Sequence, residues 1–175
     1  MKVYEPKNIR NLALVGHAGT GKTSFAEALL YKSGAINRRG SVEDNNTVSD
    51  FNELEQEKGS SVFSSVMYAE WKDSKINFID CPGYDDYIGE MIAPLEAVDC
   101  AAIFLNAQNG IEVGAEHGWV YSSRTNKPAM VVVNKLDVDQ ANWDKVLDDV
   151  KSQFGGSAKI LQYPVKTGNS FNQVI

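Results

Sequence analysis

Gly16 to Thr23 read GHAGTGKT, a glycine-bracketed loop that closes on Lys-Thr in the spacing G-x-x-x-x-G-K-[ST]. Gly16, Gly19 and Gly21 let the backbone amides of this loop, those of His17, Ala18 and Thr20 among them, curl inward around phosphate oxygens. Lys22 supplies a cation for the outer phosphates, and the Thr23 hydroxyl suits magnesium. His17 reads as a spacer in that curl and not as a catalyst. Further on, Asp80 opens DCPG, a D-x-x-G sequence at the end of an apolar run. A carboxylate there can hold a magnesium-bound water, and the amide of Gly83 can follow a terminal phosphate. Alone, DCPG is a common turn sequence; downstream of the phosphate loop it becomes a second phosphate element.

The third stretch is NKLD, Asn134 to Asp137, directly after MVVV. A carboxylate at Asp137 can accept from both N1–H and the exocyclic amine of guanine. Adenine offers neither donor in that arrangement, so it would leave a buried acceptor unpaired. The stem of Lys135 can lie on the base plane, and the Asn134 side chain can tie this loop to the phosphate loop. The phosphate loop by itself fits kinases and ATPases as well; NKLD, in order after two phosphate elements, points to GTP and GDP with magnesium. SAK at 157–159 imitates a guanine-contacting motif but follows QFGG and precedes the apolar ILQYPV. It reads as a loop entering a strand, which leaves one edge of a guanine pocket outside this chain.

These groups need elements to hold them. NLALVG, CAAIFLNA and AMVVVNK are continuous apolar runs, the pattern of strands covered on both faces. SVFSSVMYAEW and KINFID predict two more strands around the turn KDSK. SFAEALLYKSG predicts a helix with Phe25, Ala28 and Leu29 on one face and Gly34 as its cap. Ile88, Met91, Ile92 and Leu95 recur at helical spacing, with Pro94 expected to distort that helix. Residues 114–126 predict a further helix, and Trp143, Val146, Leu147, Val150 and Phe154 form the apolar stripe of another. Residues 35–61 are polar and acidic and read as a long loop. Strand and helix in alternation predict an α/β fold: a P-loop NTPase with a mostly parallel sheet flanked by helices on both faces.

The chain of 175 residues is 43% hydrophobic and 23% charged, with a net charge of −6. That balance suits one globular domain and gives no sign of sequence-specific DNA binding. No run approaches the length of a membrane span, and the start, MKVYEPKNIRN, lacks the apolar region of a signal peptide; a cytoplasmic monomer is the expectation. Cys81 and Cys100 have no metal or redox spacing and behave as small apolar residues. The acids between Glu43 and Glu57 read as a solvated loop face. Trp71, Trp119 and Trp143 read as packing residues, and His117 has no evident partner.

In order, these segments resemble the GTP-binding domain of translation elongation factor G. IRNLALVGHAGTGKTSFAEALLYKSG is similar to its opening, DFNELEQEKGSSV to its first switch loop, INFIDCPGYDDYIGEM to its second and MVVVNKLD to its base-reading loop. The resemblance implies a P-loop GTP-binding domain over residues 1–155, lacking the guanine-oxygen-contacting segment, and the start of an insertion subdomain over 156–175. It also implies a GTPase of a longer parent that acts on the ribosome in translocation, with Thr23, Ser61 and Asp80 around magnesium. Three departures stand out. Gly59, Ser60 and Ser61 occupy positions where the family has glycine, isoleucine and threonine. Gly19 replaces an acid. Tyr84 stands where the family has a histidine after D-x-P-G. An imidazole can orient the attacking water, whereas a phenol is a poor base, so slow or conditional hydrolysis is expected. The competing expectations are a GTP-occupancy switch with little hydrolysis and, opposed by NKLD, an ATP-dependent kinase.

Overall fold

The structure is a computed structural model that describes residues 2–156 and 158–175. Its strands are β1 (Ile9–Gly16), β2 (Ser65–Trp71), β3 (Ser74–Asp80), β4 (Cys100–Asn106) and β5 (Ala129–Asn134). They form one sheet in the order β2-β3-β1-β4-β5. β1 pairs in parallel with β3 and β4, and β4 with β5, while β2 runs antiparallel to β3. The exception is forced by length: only Lys72 and Asp73 separate β2 from β3, enough for a hairpin but not for a crossover.

Why the central runs are apolar throughout is clear from what covers them. Ala13 and Val15 of β1 face one core and Leu14 the other, as alternation along a strand requires. On the Leu14 side lie Phe78, Phe104 and helix α1 (Lys22–Ser33), which contributes Ala26 and Leu30. On the other side, α3 (Gly89–Ala97), α4 (Val113–Arg124) and α5 (Trp143–Gln153) contribute Met91, Leu95, Ala115, Val146 and Val150. Leu95, Ile103 and Leu105 are fully buried; each such side chain contributes about 1.5–3 kcal/mol. The layered α/β architecture is therefore the expected one.

Three local expectations change, and the Pro94 helix gains a detail. The deepest residues of α1 are Lys22, Ala26, Glu27 and Leu30, with Phe25 and Leu29 only half-buried, so the buried face is turned from the expected Phe25, Ala28, Leu29 stripe. Pro94 lies inside α3 and the helix continues through it. A proline there has no N–H for the carbonyl four residues back, Glu90; the Ser64 hydroxyl donates to that carbonyl instead. The long loop contains a helix, α2 (Glu53–Lys58), N-capped by the Asn52 side chain. Finally, Ala158 to Gln162 form no strand, and Pro164 and Val174 make only an isolated bridge. SAK begins at Ser157, which lies outside the described residues.

Of the tryptophans, Trp119 stacks on Phe154 at 4.9 Å and Trp143 meets Tyr163 edge-on at 5.6 Å. Trp71, at the hairpin end, is 45% exposed and is not a core packing residue.

Candidate functional site

β1 ends at Gly16 with φ 134°, and a Cβ there would lie 2.5 Å from the Phe104 carbonyl oxygen. Only glycine lets the chain leave the sheet this close to β4. The loop then turns into α1 through Gly21, whose φ of 94° is left-handed and which supplies no side-chain cap. The first-turn amides of α1 thus keep their capacity to bind an anion. Lys22 is buried, and its ammonium donates to the carbonyls of Gly16 at 2.8 Å and His17 at 2.9 Å. Burial pushes its pKa down, opposed by the nearby charge of Asp80. His17 is more than a spacer in position: its carbonyl also accepts from the Thr20 hydroxyl at 2.8 Å, and its buried Nδ1 has no partner among the described residues.

Next to Lys22, two hydroxyls and two carboxylates meet. Thr23 Oγ1 donates to Asp80 Oδ2 at 2.7 Å, and Ser61 Oγ donates to Asp50 Oδ1 at 2.8 Å. Each hydroxyl has one proton, and both are thereby committed. The Thr23 and Ser61 oxygens, 3.3 Å apart, consequently face each other through lone pairs, an arrangement that a cation would relieve. The second oxygen of Asp80, Oδ1, is buried and, among the described residues, meets no donor at full hydrogen-bond geometry, although the buried Ser49 hydroxyl is near enough to act on the Asp80 carboxyl. Burial raises the Asp80 pKa to about 6, against the opposing Thr23 hydrogen bond and Lys22 charge. Burial also raises that of Asp50, opposed by the Ser61 hydrogen bond. Among the described residues no group of three or more His, Cys, Asp or Glu could hold a metal by itself. The donor set that does exist, hydroxyl and carboxylate oxygens beside a phosphate loop, fits a small hard cation that keeps several waters.

Asp50 was hidden in the sequence. It belongs to the acidic stretch expected to be a solvated face, yet Asp50 is 6% exposed and Glu55 2%. Two buried glutamates hold this stretch down. Glu27 of α1 accepts from the amides of Gly40 at 2.8 Å and Val48 at 2.6 Å. Glu55 accepts from those of Val62 at 2.9 Å and Phe63 at 3.0 Å, fixing the backbone directly after Ser61.

After β3, the chain returns to the phosphate loop. The Gly83 carbonyl accepts from the Ala18 amide at 3.1 Å. A Cβ on Gly83 would lie 2.5 Å from the Ala18 nitrogen and 2.6 Å from Lys22 Nζ, so no other residue fits. Tyr84 follows, half-exposed, its ring 6.5 Å from that of His17. The two mobile-loop candidates are joined to each other: Lys58 donates to the Tyr87 hydroxyl, and the Ser64 amide donates to Glu90 Oε2 at 3.0 Å. His117 does have a partner, Asp85 Oδ1, at 3.7 Å. Cys81 is buried with its thiol pushed up to about 12 by burial, consistent with an inert packing residue.

At the far end, β5 delivers Asn134, whose side chain donates to the Thr20 carbonyl at 2.9 Å. This is the tie between the two loops that the sequence suggested. Lys135 adopts a left-handed φ of 57° and lines a cleft of about 310 Å³ together with Gly21, Lys22, Thr23, Asp50, Ser61 and Tyr84. Val42 and Glu43 close the same end. Asp137, two residues beyond, is exposed and does not line the cleft.

A glycine loop between a parallel strand and an uncapped helix, with a buried lysine and a carboxylate on the next strand, defines a nucleotide-binding domain of the P-loop class. Residues 7–174 match the family described as the Elongation factor Tu GTP binding domain, and the chain belongs to that family. It is 34% identical to an elongation factor G of Mycoplasma genitalium over 174 residues, which is 99% of this chain and 25% of that protein. It is 35% identical to a mitochondrial ribosome-releasing factor 2 of Anopheles gambiae, over 97% of this chain and 23% of that one. A crystal structure of a protein from Thermus thermophilus superposes with a TM-score of 0.91 at 38% identity, over 95% of this chain and 25% of the other. The chain thus spans about a quarter of the length of these relatives. Among its described residues no helix is long and apolar enough to cross a membrane.

Proposed function

We propose that this chain binds GTP and GDP with magnesium and hydrolyses GTP slowly, as the switch domain of a translation factor that acts on the ribosome. The observation that carries the reading is the convergence of Lys22, Thr23 and Ser61 in one cleft that Lys135 also lines, with Asp80 buried behind Thr23 and hydrogen-bonded to it. Lys22 and the amides from Gly19 to Thr23 would bind the phosphates, and that of Ala18 would join them only on release from the Gly83 carbonyl. Thr23, Ser61 and Asp80, joined by Asp50, would hold magnesium directly or through its waters. When bound, that ion neutralises charge on the transferring phosphoryl group. Asn134 and Lys135 would seat the base, and Asp137, just beyond Lys135, would read its donor edge.

Hydrolysis then depends on aiming a water at the terminal phosphate, and the candidate residues are Gly83 and Tyr84. The Gly83 carbonyl is taken by Ala18, which leaves its amide to the phosphate. Tyr84 lines the cleft but is 48% exposed and offers a phenol where an imidazole would be the better water-orienting group. A second reading, a GTP-occupancy switch with little turnover, is favoured by that same residue.

Titration of the chain with GDP and ADP tests the base assignment; equal affinities would overturn it. Phosphate release with and without ribosomes, measured beside Tyr84→His, tests the chemistry. The variant is expected to be about a hundredfold faster, the lower end of what one positioned acid–base group contributes. Equal fast rates in both proteins would refute slow hydrolysis, and equal absence of turnover would favour the occupancy switch.

A further inference from the structure

The last residues of the chain fold back on themselves. Tyr163 and Ile175 exchange backbone hydrogen bonds of 2.7 and 2.9 Å, and the Val165 amide donates to the Gln173 carbonyl at 3.0 Å. Trp143 of α5 packs edge-on against Tyr163 and seats the base of this hairpin-like segment. Its tip, the single helical turn Gly168–Ser170, reaches the loop that follows β5. There the Gly168 amide donates to the Leu136 carbonyl at 2.8 Å, and the Asn169 side-chain amide donates to the Asp139 carboxylate. Gly168 is left-handed, with φ 70°, and is buried against the Val138 and Asp139 backbone.

Asp137 lies between the two residues held. The loop does little to fix itself there: its internal hydrogen bond from the Val138 amide to the Lys135 carbonyl is long, at 3.5 Å. Its other hydrogen bonds leave Leu136 and Asp137 untouched: Asn134 on Thr20 lies before them, and the Ala141 amide on the Val138 carbonyl at 3.0 Å, the Gln108 side chain on Gln140 at 2.7 Å and Asn142 on the Ala107 carbonyl lie after them. A carboxylate that must accept two parallel hydrogen bonds from a base needs its backbone fixed beforehand, or binding must supply the ordering free energy.

We propose that the Gly168–Asn169 turn is a positioning element for guanine recognition, holding the Leu136–Asp139 backbone so that Asp137 meets the donor edge of the base. The proposal rests on the guanine reading above. It makes Asn169 a residue that sets specificity through Asp137 without touching the nucleotide.

Inosine diphosphate supplies the test, because it keeps the N1–H of guanine and lacks the exocyclic amine. The ratio of its dissociation constant to that of GDP therefore reads the second hydrogen bond to Asp137. For the 175-residue chain, Asn169→Ala is expected to raise the GDP constant about fivefold and the inosine diphosphate constant less, so that the ratio shrinks. The exchanged pair, Asn169→Asp with Asp139→Asn, reverses donor and acceptor and should restore the ratio. Melting temperatures taken alongside separate folding from recognition. Equal losses for both nucleotides, an unchanged GDP constant, or a failure of the exchanged pair to restore the ratio would overturn the proposal. If the unaltered chain shows no preference for GDP over ADP, the guanine reading itself falls, and this inference with it.

Discussion

Replacing Asp80 by asparagine should make the nucleotide-free chain more stable while disabling it. Asp80 is 1% exposed, and its pKa rises from 3.8 to about 6, with burial the largest cause. Two units correspond to about 3 kcal/mol of destabilisation when the group is ionised. The sign follows from proton binding. Below about pH 4 the carboxyl is neutral in folded and unfolded chains alike. Between about pH 4 and 6 the unfolded chain releases its proton while the folded chain keeps it, so stability falls as pH rises. Asparagine keeps an acceptor for Thr23 and turns an NH2 towards the Ser49 hydroxyl in place of Oδ1, a change of partner that costs at most about 1–2 kcal/mol. The net expectation is a gain of about 1–2 kcal/mol at pH 7.5 in chelator. Urea unfolding from pH 4 to 8 measures it; the gain should vanish towards pH 4. With magnesium and GDP the order should reverse, because only the unaltered chain gains stability from the ligand. A variant less stable at pH 7.5, or a difference indifferent to pH, would refute the reasoning.

Two other substitutions probe the loops. Gly83→Ala places a methyl 2.5 Å from the Ala18 nitrogen, so it should cost about 1–3 kcal/mol of stability and weaken GDP binding at least about tenfold, read by melting and titration. Glu27→Ala strips the acceptors from the Gly40 and Val48 amides. Trypsin should then cut after Arg38 or Arg39 about tenfold faster, the effect of losing roughly 1.4 kcal/mol of local order; an unchanged rate would show that Glu27 does not restrain the loop.

What could be read from sequence was what short-range spacing encodes. The phosphate loop, DCPG and NKLD are contiguous, and the apolar runs of β1, β4 and β5 announce strands buried on both faces. The Asn134 tie was legible because side-chain length and motif order suffice to suggest it. What escaped reading depends on partners far along the chain. Glu27 looks like an ordinary surface acid of a helix and Glu55 like one of a solvated loop, and only the amides folded over them explain their burial. Asp50 escaped for the same reason, its companion Ser61 being eleven residues away. Pro94 reads as a residue that distorts its helix, and nothing local reveals that Ser64 takes the role its missing N–H vacates. The docking of Asn169 on Asp139, thirty residues apart, has no periodic signature at all.

Lys58 with Tyr87 and Ser64 with Glu90 fasten one loop to the other at two points flanking Ser61. Each such link is worth about 1 kcal/mol, so together they couple the two segments without welding them. A partner that shifts the stretch after Gly83 is therefore expected to carry Ser61 with it, and losing either link should weaken that coupling.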